Sequence, residues 1–369
     1  MRLLKTYLVT LSLSASLVAC SDSNDVKNPL QVPTTYDGSA FATNAATQLV
    51  LRTQVANLLT ESKKSRTVGV KVPASSLTSL LVTGNPSLKS IGASSYLTSL
   101  EGTTGLFAKV EKASGNSYTI TSPNASGGVA GGYLFDETGI DLNEAVEKNA
   151  FIGILYAHAM DITTKPLTSA TPDQLLAIFG ANPTFPNSST AKVTQPDVFM
   201  AGYAARRDKN DGKGFYAQIK SNIIKLQAAI KAGDKYKSEQ QEALSAIKLT
   251  WEKAAAASAI NYCHSVLTTL SNTTLTEAQQ ASALHALSEG IGFVGGWKHI
   301  GQGHRKITDT QINEILTLFN ANASYKVIVN PATELPKIQQ ALTNLQKIYG
   351  FTATEVEDFK SNWMNVQGR

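Results

Sequence analysis

The stretch LHALSEGIGFVGGWKHIGQGHRK, residues 284–306, decides how the rest of the chain is read. It holds three of the five histidines, His285, His299 and His304, together with Trp297 and glycines at 290, 292, 295, 296, 301 and 303. Each glycine in a regular element adds backbone entropy that folding must remove. The density therefore predicts that a helix ends at a left-handed Gly290 and that an irregular loop follows. The literal GxGxxG from Gly290 to Gly295 would mark a dinucleotide site only with a strand before it and a helix after it. What precedes it is the capping box Thr276-Glu-Ala-Gln279 and the helix-forming run AQQASALHALSE. The order is inverted, which argues against a nucleotide.

Working outward, a hydrophobic fraction of 42% with 17% charge is that of a globular chain, and 369 residues permit a large core. The net charge of +5 is small for this length. Lysines such as Lys220, Lys225, Lys231 and Lys235 read as solvated helix faces, and no nucleic-acid partner is expected.

Arg2 and Lys5 precede an apolar run, Tyr7 to Val18, that is too short to span a bilayer and has the form of a secretory signal. The run ends in Leu17-Val18-Ala19-Cys20, which resembles the bacterial lipobox, whose cysteine carries the lipid. The expected organisation is a signal peptide over 1–19, lipidated Cys20 and a polar tether over 20–33, and one helical domain over 34–369. The membrane is then a partner through the lipid on Cys20, in the cell envelope and at the outer membrane rather than the inner, facing the periplasm or the surface. Cys263 is left alone, so no intramolecular disulfide is available.

Within the body, residues 65–135 are rich in Ser, Thr and Gly and read as loop-dominated, with one or two short helices or a hairpin near Tyr118 to Thr121. From Asn143 to Ala159, Leu142, Val146, Ala150, Gly153 and Ala157 trace a buried helical face. Phe215, Ile219, Ile223, Leu226 and Ile230 repeat at helical spacing, and Gly233 stops them. A long helix from Ser238 to Leu270 carries Ala254 to Ala257 at its centre, where small side chains let neighbours approach closely. Thr308 to Gln311 opens another helix, and further apolar stripes follow at Leu335 to Ile348 and at Val356 to Trp363. The fold class is mainly α, a helical bundle with a loop-rich N-terminal third.

His285 and Glu289 share a helix face at i and i+4, and His158 and Asp161 stand at i and i+3. His264 lies on the long helix, which should pack against the helix carrying His285. Convergence of His158, Asp161, His264, His285 and Glu289 inside the bundle would make a metal site suited to zinc or iron. A structural His–Glu hydrogen bond is the plainer alternative. Trp297 and His299 extend the candidate binding surface from His285 and Glu289 into the glycine-rich loop, where Lys298, Arg305 and Lys306 make the surroundings cationic. The run from Asp208 to Gly212 puts glycine where a calcium ligand belongs and reads as a turn.

Tyr36-Asp37, Phe135-Asp-Glu-Thr-Gly139, Glu147-Lys-Asn-Ala-Phe-Ile-Gly153, Trp251 with Asn261-Tyr262, and His285-Ala-Leu-Ser-Glu289 together resemble the domain of unknown function 4856 family. Its members are bacterial lipoproteins similar to the imelysin-like group. The resemblance implies an imelysin-like helical bundle linked to iron uptake or to a metallopeptidase activity. The GxHxxE signature of that group is missing: His158 is followed by Asp161, His285 by Ser288 and His304 by Ile307 in the acidic place. The expected function is a lipid-anchored extracytoplasmic protein, read as a binding protein rather than an enzyme, that takes iron, haem or another metal-linked small ligand. The alternatives are a metallopeptidase and a structural or partner-binding surface lipoprotein.

Overall fold

The apolar repeats become helices with few changes of boundary. A computed structural model describes residues 28–272 and 274–369, so Cys20 and the signal segment lie outside the described residues. The chain is mainly helical, and the one sheet among the described residues is a two-stranded hairpin.

The central helix, Lys237–Leu270, has 34 residues and is about 51 Å long. Leu244, Ile247, Trp251, Ala255 and Ala259 form a buried seam along it, and Tyr262, which the same spacing adds to the seam, is half-buried. The Phe215–Lys231 helix, the Glu277–Gly295 helix and the Pro331–Tyr349 helix all pack against it. Local chemistry sets the ends. Thr276 and Thr308 each close a capping box with Gln279 and Gln311, while Gly233 and Gly350 turn the chain at positive φ.

The Glu277–Gly295 helix corrects one expectation. It runs straight through Gly290 and Gly292, and neither glycine is left-handed. The reason is close packing. A Cβ on Gly292 would lie 2.7 Å from Cβ of Lys148, and one on Gly296 would lie 2.7 Å from Cδ1 of Ile152. These glycines bring the helix against the Leu142–Ala150 helix at a distance no side chain would allow.

That Leu142–Ala150 helix starts at Asp141, whose carboxylate accepts the Asn143 N–H at 2.9 Å. It continues through a π-helical turn, Phe151–Tyr156, into Ala157–Thr164. The turn frees the Gly153 carbonyl to accept the Ala93 N–H at 2.7 Å, and Tyr96 covers Gly153 on the side where a Cβ would stand.

The N-terminal third holds more helix than its composition suggests. Short helices at Ala74–Val82, Leu88–Ile91, Ser94–Leu100 and Leu106–Ala113 alternate with turns. The hairpin pairs Gly128–Ala130 with Tyr133–Phe135, later in the chain than Tyr118 to Thr121. Its turn at Gly131, φ +55, meets Ala281 so closely that a Cβ would sit 2.6 Å from the Ala281 Cβ. The hairpin is thereby laid against the Glu277–Gly295 helix with Tyr133 over His285.

Candidate functional site

A buried charge cluster forms where the Leu142–Ala150 helix faces the Glu277–Gly295 helix. His285 sits at its mouth. Its Nδ1 lies 2.9 Å from Asp141 Oδ2 and 3.8 Å from Glu144 Oε1, and its Nε2 lies 3.1 Å from Glu289 Oε1. Tyr133 stacks on the ring, with centroids 4.1 Å apart and planes at 15°, which fixes the imidazole's plane. The Asp141 backbone N–H donates to Ser288 Oγ at 2.8 Å, tying the two helices at the same level.

Two cations complete the cluster from opposite sides. Arg66, on the turn after the Ala46–Lys63 helix, places Nη2 2.6 Å from Glu144 Oε1 and 3.3 Å from Asp141 Oδ2. Lys148 is 1% exposed and reaches Glu144 at 2.6 Å, Glu147 at 2.9 Å and Glu289 at 3.7 Å. Its ammonium also lies 4.9 Å from the Tyr203 ring centroid, within cation–π range. Lys63 pairs with Glu147 at the edge. Glu144 Oε2 and Glu289 Oε2 are buried, and the Lys148 ammonium, 2.6 Å from the first and 3.7 Å from the second, offsets their charge.

Burial opposes the charged imidazole of His285, but its hydrogen bonds to Asp141 and Glu289 outweigh that and raise it to about 9. Burial pushes Glu289 up, and Lys148 with His285 more than reverses it, leaving it below its ordinary value. Burial pushes the Asp141 carboxyl up. Whether the shared proton rests on the ring or on Asp141, that pair is neutral, and Glu144, Glu147 and Glu289 balance Arg66, Lys148 and Lys63. The cluster carries no net charge.

The ligand atoms of Asp141, Glu144 and His285 all lie within 4.8 Å of one another, close enough to grip one ion. One imidazole and several carboxylate oxygens suit zinc or ferrous iron. Of the expected metal set, only His285 and Glu289 come together. Asp161 is exposed and pairs with Lys165 at 2.7 Å. His158 lies 3.4 Å from the Gln48 amide. His264 Nε2 donates to the Val356 carbonyl at 3.1 Å, on the far face of the central helix. His299 contacts Ser95 Oγ at 3.1 Å and tilts against Tyr96, and burial, with Lys298 beside it, lowers it to about 4. Trp297 is core, edge-on to Tyr156 at 4.9 Å. Around it Lys298 and Lys306 stay exposed, while Arg305 is buried and pairs with Asp309 at 2.6 Å. Cys263 is buried, which pushes its thiol up to about 12 and leaves it inert.

Residues 178–352 match the model of the family described as domain of unknown function (DUF4856). This span is a DUF4856 domain. The matched span contains Tyr203, His285 and Glu289 of the cluster, while Arg66, Tyr133, Asp141, Glu144 and Lys148 precede it, so the DUF4856 match covers one wall of the site. No curated protein and no solved structure matches the chain. No helix among the described residues is long and apolar enough to cross a membrane.

Asp141, Glu144, Lys148 and Arg66 were missed by sequence reasoning. The available signal was Glu144 and Lys148 at i and i+4 directly after a helix-capping acid. Such charges on a helix normally read as a solvated face.

Proposed function

We propose that this chain is a lipid-anchored protein of the bacterial cell envelope that binds one divalent transition-metal ion, zinc or ferrous iron, at Asp141, Glu144 and His285. The observation that carries the reading is the convergence of those three ligand atoms within 4.8 Å in a buried, charge-balanced setting. A bound dication exchanges for two existing positive charges: the proton shared by His285 and Asp141, and the Arg66 guanidinium. The cluster's net charge is then unchanged, so entry of the ion leaves no uncompensated buried carboxylate.

Arg66 suits that exchange because its side chain is 23% exposed and can swing to solvent, whereas that of Lys148 is only 1% exposed. Metal ligation requires neutral imidazole, so binding must release a proton. Tyr133, stacked on the ring, and the Ser288–Asp141 bond hold the donors in place before the ion arrives. Both ring nitrogens of His285 already face carboxylates, Asp141 and Glu289, a donor set that suits a bare ion rather than the lone axial bond a haem takes. Anchoring is supported by Leu17-Val18-Ala19-Cys20 behind a short apolar run, and the outer membrane is the proposed site.

The test is calorimetric titration of metal-free protein with zinc at neutral pH in buffers of different ionisation enthalpy. One ion should bind per chain with release of a proton, His285→Ala should abolish binding, and Arg66→Ala should tighten it. Absence of stoichiometric binding by both the natural chain and Arg66→Ala would show the cluster to be purely structural. Palmitate labelling that persists in Cys20→Ala would refute the anchor.

A further inference from the structure

A cavity of about 880 Å³ lies between residues 31–44, the start of the Thr171–Phe179 helix and the end of the Phe215–Lys231 helix. Its volume is that of a small-molecule site. None of its lining residues belongs to the cluster around His285.

Its walls are built. Asp37 is clamped to the Phe215–Lys231 helix from both sides of its backbone: its N–H donates to Gln227 Oε1 at 3.0 Å, and Gln227 Nε2 donates to its carbonyl at 2.9 Å. One residue earlier, the Tyr36 hydroxyl donates to Asp173 Oδ1 at 2.5 Å, and Asn44 Nδ2 donates to Asp173 Oδ2 at 2.7 Å.

Asp173 is the informative residue. It lines the cavity, is 1% exposed, and takes hydrogen bonds only from a phenol and an amide, with no Lys, Arg or His in ion-pair reach among the described residues. An ionised carboxylate has about four acceptor positions, so two remain for a guest. Burying a carboxylate without a cation is costly, and a cationic guest removes that cost. Asp37 adds a second carboxylate, with Oδ1 taken by Ser39, and Lys231 is the one cation on the lining. The lining therefore favours positive charge.

We propose that this cavity binds a small primary amine whose ammonium sits against Asp173, with Lys231 receiving the carboxylate of a zwitterionic guest. The lining also sets the type of amine. Thr168 and Ser169 offer hydroxyls to N–H donors, while among the described residues no aromatic ring lines the cavity. Quaternary ammonium recognition relies on aromatic faces, so a methylated ammonium should be rejected.

The proposal is tested by calorimetric titration of the purified full chain with L-alanine, putrescine and glycine betaine. Saturable binding is expected for at least one of the two primary amines and none for betaine. Asp173→Asn should weaken that binding at least ten-fold while the variant stays folded at the titration temperature, and Lys231→Ala should weaken L-alanine only. Should Asp173→Asn fail to fold, Ser169→Trp, which fills the cavity while leaving Asp173 and its partners intact, must abolish binding instead. No saturable binding by either primary amine at millimolar concentration, equal binding of betaine, or binding indifferent to both substitutions would overturn it.

Discussion

Glycines 290 and 292 sit two residues apart in one helix, yet alanine at the two positions should act in opposite directions. In a helix interior, Gly to Ala gains about 1 kcal/mol because the backbone has less freedom to lose. At Gly290 the added Cβ meets its nearest neighbour, the Tyr262 Cβ, at 3.7 Å, an ordinary contact. Gly290→Ala should therefore raise stability by about 1 kcal/mol. At Gly292 the same atom would stand 2.7 Å from the Lys148 Cβ and 3.2 Å from its Cγ. Lys148 cannot yield, because its ammonium is held by Glu144, Glu147 and Glu289 and its Cβ moves only with its helix. Overpacking of that kind costs up to about 3 kcal/mol, and the gain in helix propensity offsets about 1, so Gly292→Ala should lose about 2 kcal/mol. Urea unfolding followed by the fluorescence of buried Trp251 and Trp297 measures both variants, as midpoint shifts at constant slope. If Gly292→Ala proves as stable as Gly290→Ala, the glycines do not set the helix spacing and the reasoning fails.

Three more outcomes follow from the same geometry. In the metal-free protein, His285 titrates at about 9 when folded against 6.5 unfolded, so its contribution is whole below pH 6.5 and drains away toward pH 9. His299 titrates at about 4 against 6.5, so its cost is absent above pH 6.5 and grows as pH falls toward 4. Subtracting the pH profile of His285→Gln from that of the natural chain should leave a stability difference that falls by up to ~3 kcal/mol between pH 6.5 and 9, and subtracting that of His299→Gln one that falls by about 1–2 between pH 6.5 and 4, where the partly exposed ring is screened; a flat difference contradicts the assignment concerned. Lys148→Met, which preserves volume but strands three buried carboxylates, should cost roughly 3–5 kcal/mol in the same measurement, and a neutral result would mean the cluster is hydrated. Glu252 accepts the backbone N–H groups of Lys306 at 2.6 Å and Ile307 at 2.8 Å and the Tyr349 hydroxyl at 2.8 Å, so Glu252→Ala should cost about 3 kcal/mol, with amide exchange at 306 and 307 accelerating first.

Most helices were legible because their burial follows one simple period. Phe215, Ile219, Ile223 and Leu226 are all buried, as four-residue and three-residue steps require, and capping boxes at Thr276 and Thr308 mark two starts. The N-terminal third was less legible. Beyond the Ala46–Lys63 helix its helices are four to nine residues long, too short for a periodic signal, and they are held by tertiary contacts such as the Tyr96 hydroxyl on the Val146 carbonyl at 2.8 Å. Glu252 was hidden for another reason. One acid inside an alanine-rich helix has no local partner, and its three donors come from 54 to 97 residues away.

Half of the site was legible and half was not, and one stripe explains the division. His285, Glu289, Gly292 and Gly296 step by four, three and four, so all four lie on the same side of their helix. Down that side they meet Asp141, then Lys148, then the Lys148 Cβ, then Ile152. Sequence spacing gave the upper pair, because a His and a Glu at i and i+4 announce themselves. Read from sequence, the lower pair falls in an irregular loop beyond a stop at Gly290, because glycine's entropy cost is a local property and its close-packing gain is a tertiary one. The two pairs are one device. The glycines set how near the Leu142–Ala150 helix can come, and that nearness puts Lys148 and Asp141 within reach of Glu289 and His285. A change at Gly292 should therefore be felt at His285, two helical turns away, as a change in its titration as well as in stability.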